Sequence, residues 1–159
     1  MKTAVASPKT KTNSPVVAAL NQLLADSYSL MALSQQAHWN VEGPAFFELH
    51  TAFQSHYENL FAAIDEIAER IRSLNAYTIG GLRAFAKESG LDEFPTGSVP
   101  SRDYVAGLVV AHEKTLADAI ALRDVSGDAN DLETQDLAIG RITWHQKTLW
   151  MLKSFLKSA

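Results

Sequence analysis

Proline placement constrains this chain more than any other feature. The prolines stand at 8, 15, 44, 95 and 100 and leave proline-free blocks of 28, 50 and 59 residues. Proline ends or kinks a helix, so uninterrupted blocks of this length predict long helices. In the second block Phe46, Leu49, Phe53, Tyr57, Leu60, Ile64, Ile67, Ile71 and Leu74 recur in steps of three and four, the repeat of one helical face. That run predicts a helix of about eight turns. Gly80-Gly81 is its expected break, and 82–88 forms a short helix before Gly90.

The first block repeats the pattern at Val17, Leu20, Leu24, Tyr28 and Met31, and the next steps land on Gln35 and His38. His38 is therefore expected to face inward near the end of the first helix. The third block divides at Ser126-Gly127-Asp128 into two helices, with Ser101 as the expected cap after Pro100. Val105, Leu108, Val109 and Leu116 supply one apolar face. Ile139, Ile142, Leu149, Leu152 and Leu156 supply the other. The reading is all-α: a four-helix bundle over 16–159 with a short extra helix in a long crossover between helices 2 and 3. Residues 1–15, with Lys2, Lys9 and Lys11 and no acid, read as a flexible basic tail.

Composition narrows the function. The chain has 159 residues, 47% of them hydrophobic and 20% charged, enough apolar matter for one core. Without cysteine it has no disulfide, thiolate metal site or cysteine nucleophile. Outside the tail 11 basic residues face 18 acidic ones, so the body repels phosphate and any nucleic-acid contact is expected to run through the tail or a local patch. No uninterrupted apolar run reaches the roughly 18 residues of a membrane span, and the protein reads as soluble, unexported and cytoplasmic, without a membrane partner.

Nucleotide-loop, zinc-protease and hydrolase motifs are absent. No glutamate has a histidine three residues later, which removes the usual route to a di-iron centre inside one bundle. The second helix instead carries His50, Gln54, Asp65 and Glu69. They fall within about 100° of one another on the helical wheel, a polar shoulder beside the apolar seam. His50 and Asp65 are nevertheless about 22 Å apart along the axis, beyond the reach of one ion. Two copies packed antiparallel about a twofold axis would set His50 of one against Asp65 and Glu69 of the other, with His38 completing a nitrogen and oxygen shell. Such a shell suits ferrous iron or zinc. The plainer alternative is a solvated helix face with Glu66–Arg70 and Glu69–Arg72 pairs. His56, His112 and His145 read as satisfied core or interface residues, and Trp39, Trp144 and Trp150 as packing residues.

The 34-residue stretch His38-Trp39-Asn40-Val41-x-Gly43-Pro44-x-Phe46-x-x-Leu49-His50-x-x-Phe53, Tyr57 and Asp65-Glu66-Ile67-Ala68-Glu69-Arg70-Ile71 resembles the signature of the Dps family, the miniferritins of starved bacterial cells. Weaker echoes are Thr134-x-Asp136-Leu137 and Leu149-Trp150-Met151-Leu152. The resemblance implies a hollow homo-oligomer, a dodecamer built from twofold dimers. It implies oxidation of Fe(II) to Fe(III), preferably by hydrogen peroxide, at subunit interfaces, with ferric iron stored inside and DNA protected from oxidative damage. The ligands it implies are His38 and His50 of one chain with Asp65 and Glu69 of the next, and Trp39 becomes a nearby electron donor.

One position departs from that signature. Gln54 stands where the family usually has an acid four residues after the second histidine, and a neutral amide oxygen is a weaker iron ligand than a carboxylate. One iron position is expected to be firm and the other weak. Two alternatives follow: a DNA-binding, nucleoid-associated stress protein working through Lys2, Lys9 and Lys11, and a scavenger of Zn(II), which also serves as an iron surrogate.

Overall fold

The computed structural model describes residues 14–157. The described chain is five helices: α1 (Pro15–Asn40), α2 (Phe46–Ser73), α3 (Leu82–Glu88), α4 (Ser101–Asp128) and α5 (Leu132–Lys157). Four are long and antiparallel neighbours are joined by short turns, α1 to α2 and α4 to α5, while the crossover from α2 to α4 carries α3. The all-α bundle follows the sequence reading. The lysines expected to act, Lys2, Lys9 and Lys11, lie outside the described residues.

Local chemistry sets most boundaries. Pro15 is the first residue of α1, where its missing N–H costs nothing. Pro100, in an extended conformation, occupies the cap position of α4, with Ser101 already helical; the expected serine cap is displaced by one residue because the proline carbonyl receives the Asp103 and Tyr104 amides. The two long-helix exits also differ from expectation. α2 stops well before Gly80-Gly81, at Asn75, whose φ is +60°, and the Ala76 amide returns to the Ile71 carbonyl. α4 runs through Gly127 and ends at Asn130, φ +55°, where the Asp131 amide returns to Ser126. Asparagine is the side chain that best tolerates this left-handed turn after glycine, so both helices close on it.

Two apolar clusters fill the bundle. One joins Leu20 and Leu24 of α1 to Ile67 and Ile71 of α2, Leu122 of α4 and Ile142 of α5. The other joins Leu30 and Leu33 to Phe53 and Leu60, Tyr104 and Leu108, and Leu149 and Leu152. Ile139, placed on the core face by its spacing, is 46% exposed, because the α5 stripe drifts with the 3.6-residue repeat. α1 is long and apolar enough to cross a membrane by length and composition. Its leucines are instead the shared wall of both clusters. Its one buried acid, Asp26, is matched by Lys114 of α4 at 2.9 Å and by Ser89 and the Gly90 amide of the crossover.

The crossover is clamped at a second point, where Phe94 stacks edge-on against Tyr104, centroids 4.9 Å apart. A β-carbon at Gly107 would lie 2.3 Å from the Phe94 ring. Alanine is about 1 kcal/mol better than glycine inside a helix, yet overpacking costs roughly 1–3 kcal/mol. Gly107→Ala is therefore expected to lower the thermal midpoint, and a rise would show that the ring is free to leave.

Candidate metal centre

His38 ends α1 and His50 begins the second turn of α2, and the short turn between them folds the two imidazoles together. Their rings stack with centroids 3.7 Å apart and 21° between planes. Each ring is tied to the other's backbone: His38 Nδ1–H donates to the His50 carbonyl at 2.8 Å, and His50 Nδ1–H donates to the His38 carbonyl at 2.9 Å. A carbonyl only accepts, so each Nδ1 carries a proton, and the neutral tautomer compatible with these bonds has its lone pair on Nε2. This is the tautomer-fixing arrangement of metal-ligating histidines. Phe46 stacks on the outer face of His50 at 4.9 Å, and Tyr57 meets His38 edge-on at 5.3 Å. His38 is only 8% exposed, the inward position its spacing predicts.

Asp65 and Glu69 lie farther along α2, both exposed. The arginines that could neutralise them go elsewhere. Arg70 donates to Asp131 at 2.6 Å and to the Thr134 hydroxyl at 2.8 Å, while Arg72 bonds the Ala76 carbonyl and lies over the Tyr77 ring. The expected Glu66–Arg70 and Glu69–Arg72 pairs do not form, because the loop before α5 and the turn after α2 capture both guanidinium groups. Two like charges one turn apart are thus left unneutralised on an open face. Among the described residues of a single chain no three side chains of His, Asp or Glu come together as a metal site; the nitrogen pair and the carboxylate pair stay apart.

The same face of α2 exposes two phenylalanines, Phe47 at 79% and Phe61 at 72%. With Gln54, Glu58 and Asp65 they occupy a sector about 60° wide on the wheel. Large aromatic rings exposed on one open face mark a protein interface. Trp39, beside His38, is 69% exposed, and Trp150 is 68% exposed. Neither packs within its own chain as expected; only Trp144 does, because its neighbours on α5 turn it toward His56 and His112.

Those remaining histidines form a separate cluster in the bundle. His112 and His145 share a hydrogen bond between their Nδ1 atoms at 2.9 Å, and His56 meets His112 edge-on. They are buried, as expected, but not satisfied. His56 Nδ1, His112 Nε2 and His145 Nε2 have no partner, nor do Nε and Nη2 of the adjacent Arg141. Burial drives His56 down to about 4 and His145 to about 3, and holds His112 well below the ordinary histidine range, so all three rings are neutral at neutral pH.

Comparison with known proteins identifies the family of the fold. A ferritin-like domain profile matches residues 17–159. The chain is 31% identical to the DNA protection during starvation protein 2 of Bacillus anthracis over 91% of its own length and 98% of that protein's. The chain belongs to the Dps family. A Dps protein from Vibrio cholerae, described as a member of a broad superfamily of ferritin-like diiron-carboxylate proteins, superposes with a TM-score of 0.87 at 31% identity over 98% of both chains. An uncharacterized low temperature-induced protein of Nostoc sp. is 42% identical over 89% of this chain and 80% of its own. Within a Dps frame the helix labels acquire meaning: α2 carries both halves of the candidate centre, and α1 supplies one histidine.

Proposed function

We propose that the protein is a ferroxidase and iron store of the Dps type, with each centre built from His38 and His50 of one chain and Asp65 and Glu69 of a second copy. The observation that carries this reading is the reciprocal clasp of His38 and His50, which stacks the two rings and engages both Nδ1 atoms, so that Nε2 is the nitrogen each ring has left for a metal. The open face bearing Phe47 and Phe61 is where the second copy docks. Docking brings two carboxylates to two imidazoles, a nitrogen and oxygen donor set that favours iron or zinc over calcium and magnesium. A dodecamer of such dimers encloses the stored product.

The substrate is ferrous iron and the oxidant hydrogen peroxide. Each ferrous ion gives one electron, the O–O bond takes both and breaks, and the oxygens leave as water or hydroxide, with iron becoming ferric. No hydroxyl radical is released when both electrons arrive together, which is how such a protein shields DNA. Trp39, next to His38 in the chain and exposed, gives an electron in this reading when only one iron is bound.

The test is anaerobic titration of metal-stripped protein with ferrous iron, then one addition of peroxide. Saturable binding and two irons oxidised per peroxide are expected. Binding of zinc or iron without peroxide consumption would replace this reading with scavenging. A salt-sensitive DNA shift that vanishes on deleting residues 2–12, with no iron chemistry, would replace it with DNA binding.

A further inference from the structure

The candidate centre leaves one position unexplained, the neutral Gln54 one turn after His50. Its side chain is not loose. The Gln54 amide nitrogen donates to Glu58 Oε1 at 2.7 Å. An ionised carboxylate only accepts, so the nitrogen must face Glu58 and the amide oxygen must point away from it. The amide orientation is thereby decided by chemistry. Glu58 lies one turn beyond Gln54 and two beyond His50, a spacing that stacks the three along one strip of α2.

We propose that Glu58 is a positioning residue that equips Gln54 to serve as a ligand at the second iron position, beside His50. It acts in two ways. It holds the amide so that the bare Oε1 is presented to the ion, removing the amide flip that would present N–H instead. It also polarises the amide: a nitrogen donating to an anion shifts electron density onto the carbonyl oxygen, making it a better donor to a divalent cation. The charge missing at position 54 is relocated by one turn and transmitted through the amide. This rests on the ferroxidase reading above, and it revises the expectation of a weak second position. The spacing of His50 and Gln54 drew attention to the missing acid, whereas Glu58 carried no signal in the sequence because nothing in a linear motif shows where an amide points.

The experiment is anaerobic calorimetric titration with ferrous iron, repeated with zinc, on the assembled wild type and on Glu58→Gln, Gln54→Glu and the double variant. In wild type two ions bind per centre. Glu58→Gln is expected to weaken the second ion by about tenfold or more, the range for losing an outer-shell partner, while the first ion binds unchanged. Gln54→Glu places a carboxylate directly at the site, so adding Glu58→Gln to it is expected to cost nothing. A role for Glu58 in helix stability alone would weaken both backgrounds equally. Unchanged second-ion affinity in Glu58→Gln, with the first intact, overturns this inference and leaves the ferroxidase reading standing. Absence of any saturable binding in wild type overturns both.

Discussion

Replacing Glu69 or His50 with alanine is expected to lower peroxide-dependent iron oxidation by more than about 100-fold, since even outer-shell partners of a metal are worth 10- to 100-fold. Neither substitution threatens the fold. Glu69 is exposed and, among the described residues, unpaired. His50→Ala removes one hydrogen bond at the α1–α2 turn, a loss of about 1 kcal/mol, together with the ring's stacking on His38 and Phe46, a local loss within a bundle whose two apolar clusters are untouched. The decisive measurement mixes the two inactive variants. If nitrogen ligands come from one chain and oxygen ligands from its partner, a dimer of one His50→Ala and one Glu69→Ala subunit holds one dead centre and one wild-type centre. Co-assembly at equal ratio then restores about a quarter of the sites, because half of random pairs are mixed and each has one intact centre of two. No recovery on mixing would mean that each chain supplies its own complete site.

Acidification from pH 7 to pH 4 strips several kcal/mol from the stability of each subunit through the buried histidines. Their folded pKa values lie below the ordinary 6.5, at about 4 for His56 and about 3 for His145. Above pH 6.5 the rings are neutral folded and unfolded, and nothing is lost. As pH falls below 6.5 only the unfolded chain takes up the protons, so stability declines until the folded pKa is reached. At pH 4 that amounts to about 3 kcal/mol for each of these two rings. Protonation of the accepting Nδ1 would also break the His112–His145 bond and set a new cation near Arg141. One group works in the opposite sense. Burial and the neighbouring Asp26 raise Asp118 to about 7, so its protonation favours the folded state as pH falls from 7 toward 3.8. The histidine contribution is therefore read as a difference between variants. His145→Gln is expected to narrow the gap between pH 7 and pH 4 stabilities by about 3 kcal/mol, measured by denaturant midpoints at the two pH values. An unchanged gap would show that the ring titrates normally in the folded chain.

The long helices were legible because α2 repeats an apolar residue every three or four positions without a break, and because Pro15 and Pro100 mark two starts. Their ends were not. Gly80-Gly81 and Gly127 are stronger linear signals than Asn75 and Asn130, yet the helices close on the asparagines, since returning amides from Ala76 and Asp131 decide the matter. At the candidate centre the inward turn of His38 could be read from spacing, while the ligand set proposed above is what the family signature implies. The reciprocal imidazole–carbonyl clasp could not, because it depends on how tightly residues 41–45 turn the chain. The fates of Arg70 and Arg72 were hidden for a related reason: their partners, Asp131 and the turn at Ala76, lie outside the helix that carries them. The His56, His112 and His145 cluster was unreadable as a cluster, being drawn from three helices. In sequence each member looked like an isolated core histidine.

The separation of nitrogen and oxygen ligands within one chain has a consequence for timing. Folding alone brings the two imidazoles together, and in the proposed centre association supplies the carboxylate half. On the proposed function a newly made subunit is thus chemically silent toward iron and peroxide. Oxidation begins only when a partner arrives, the same event that starts building walls around the space where insoluble ferric product collects, so the catalyst is switched on together with its container.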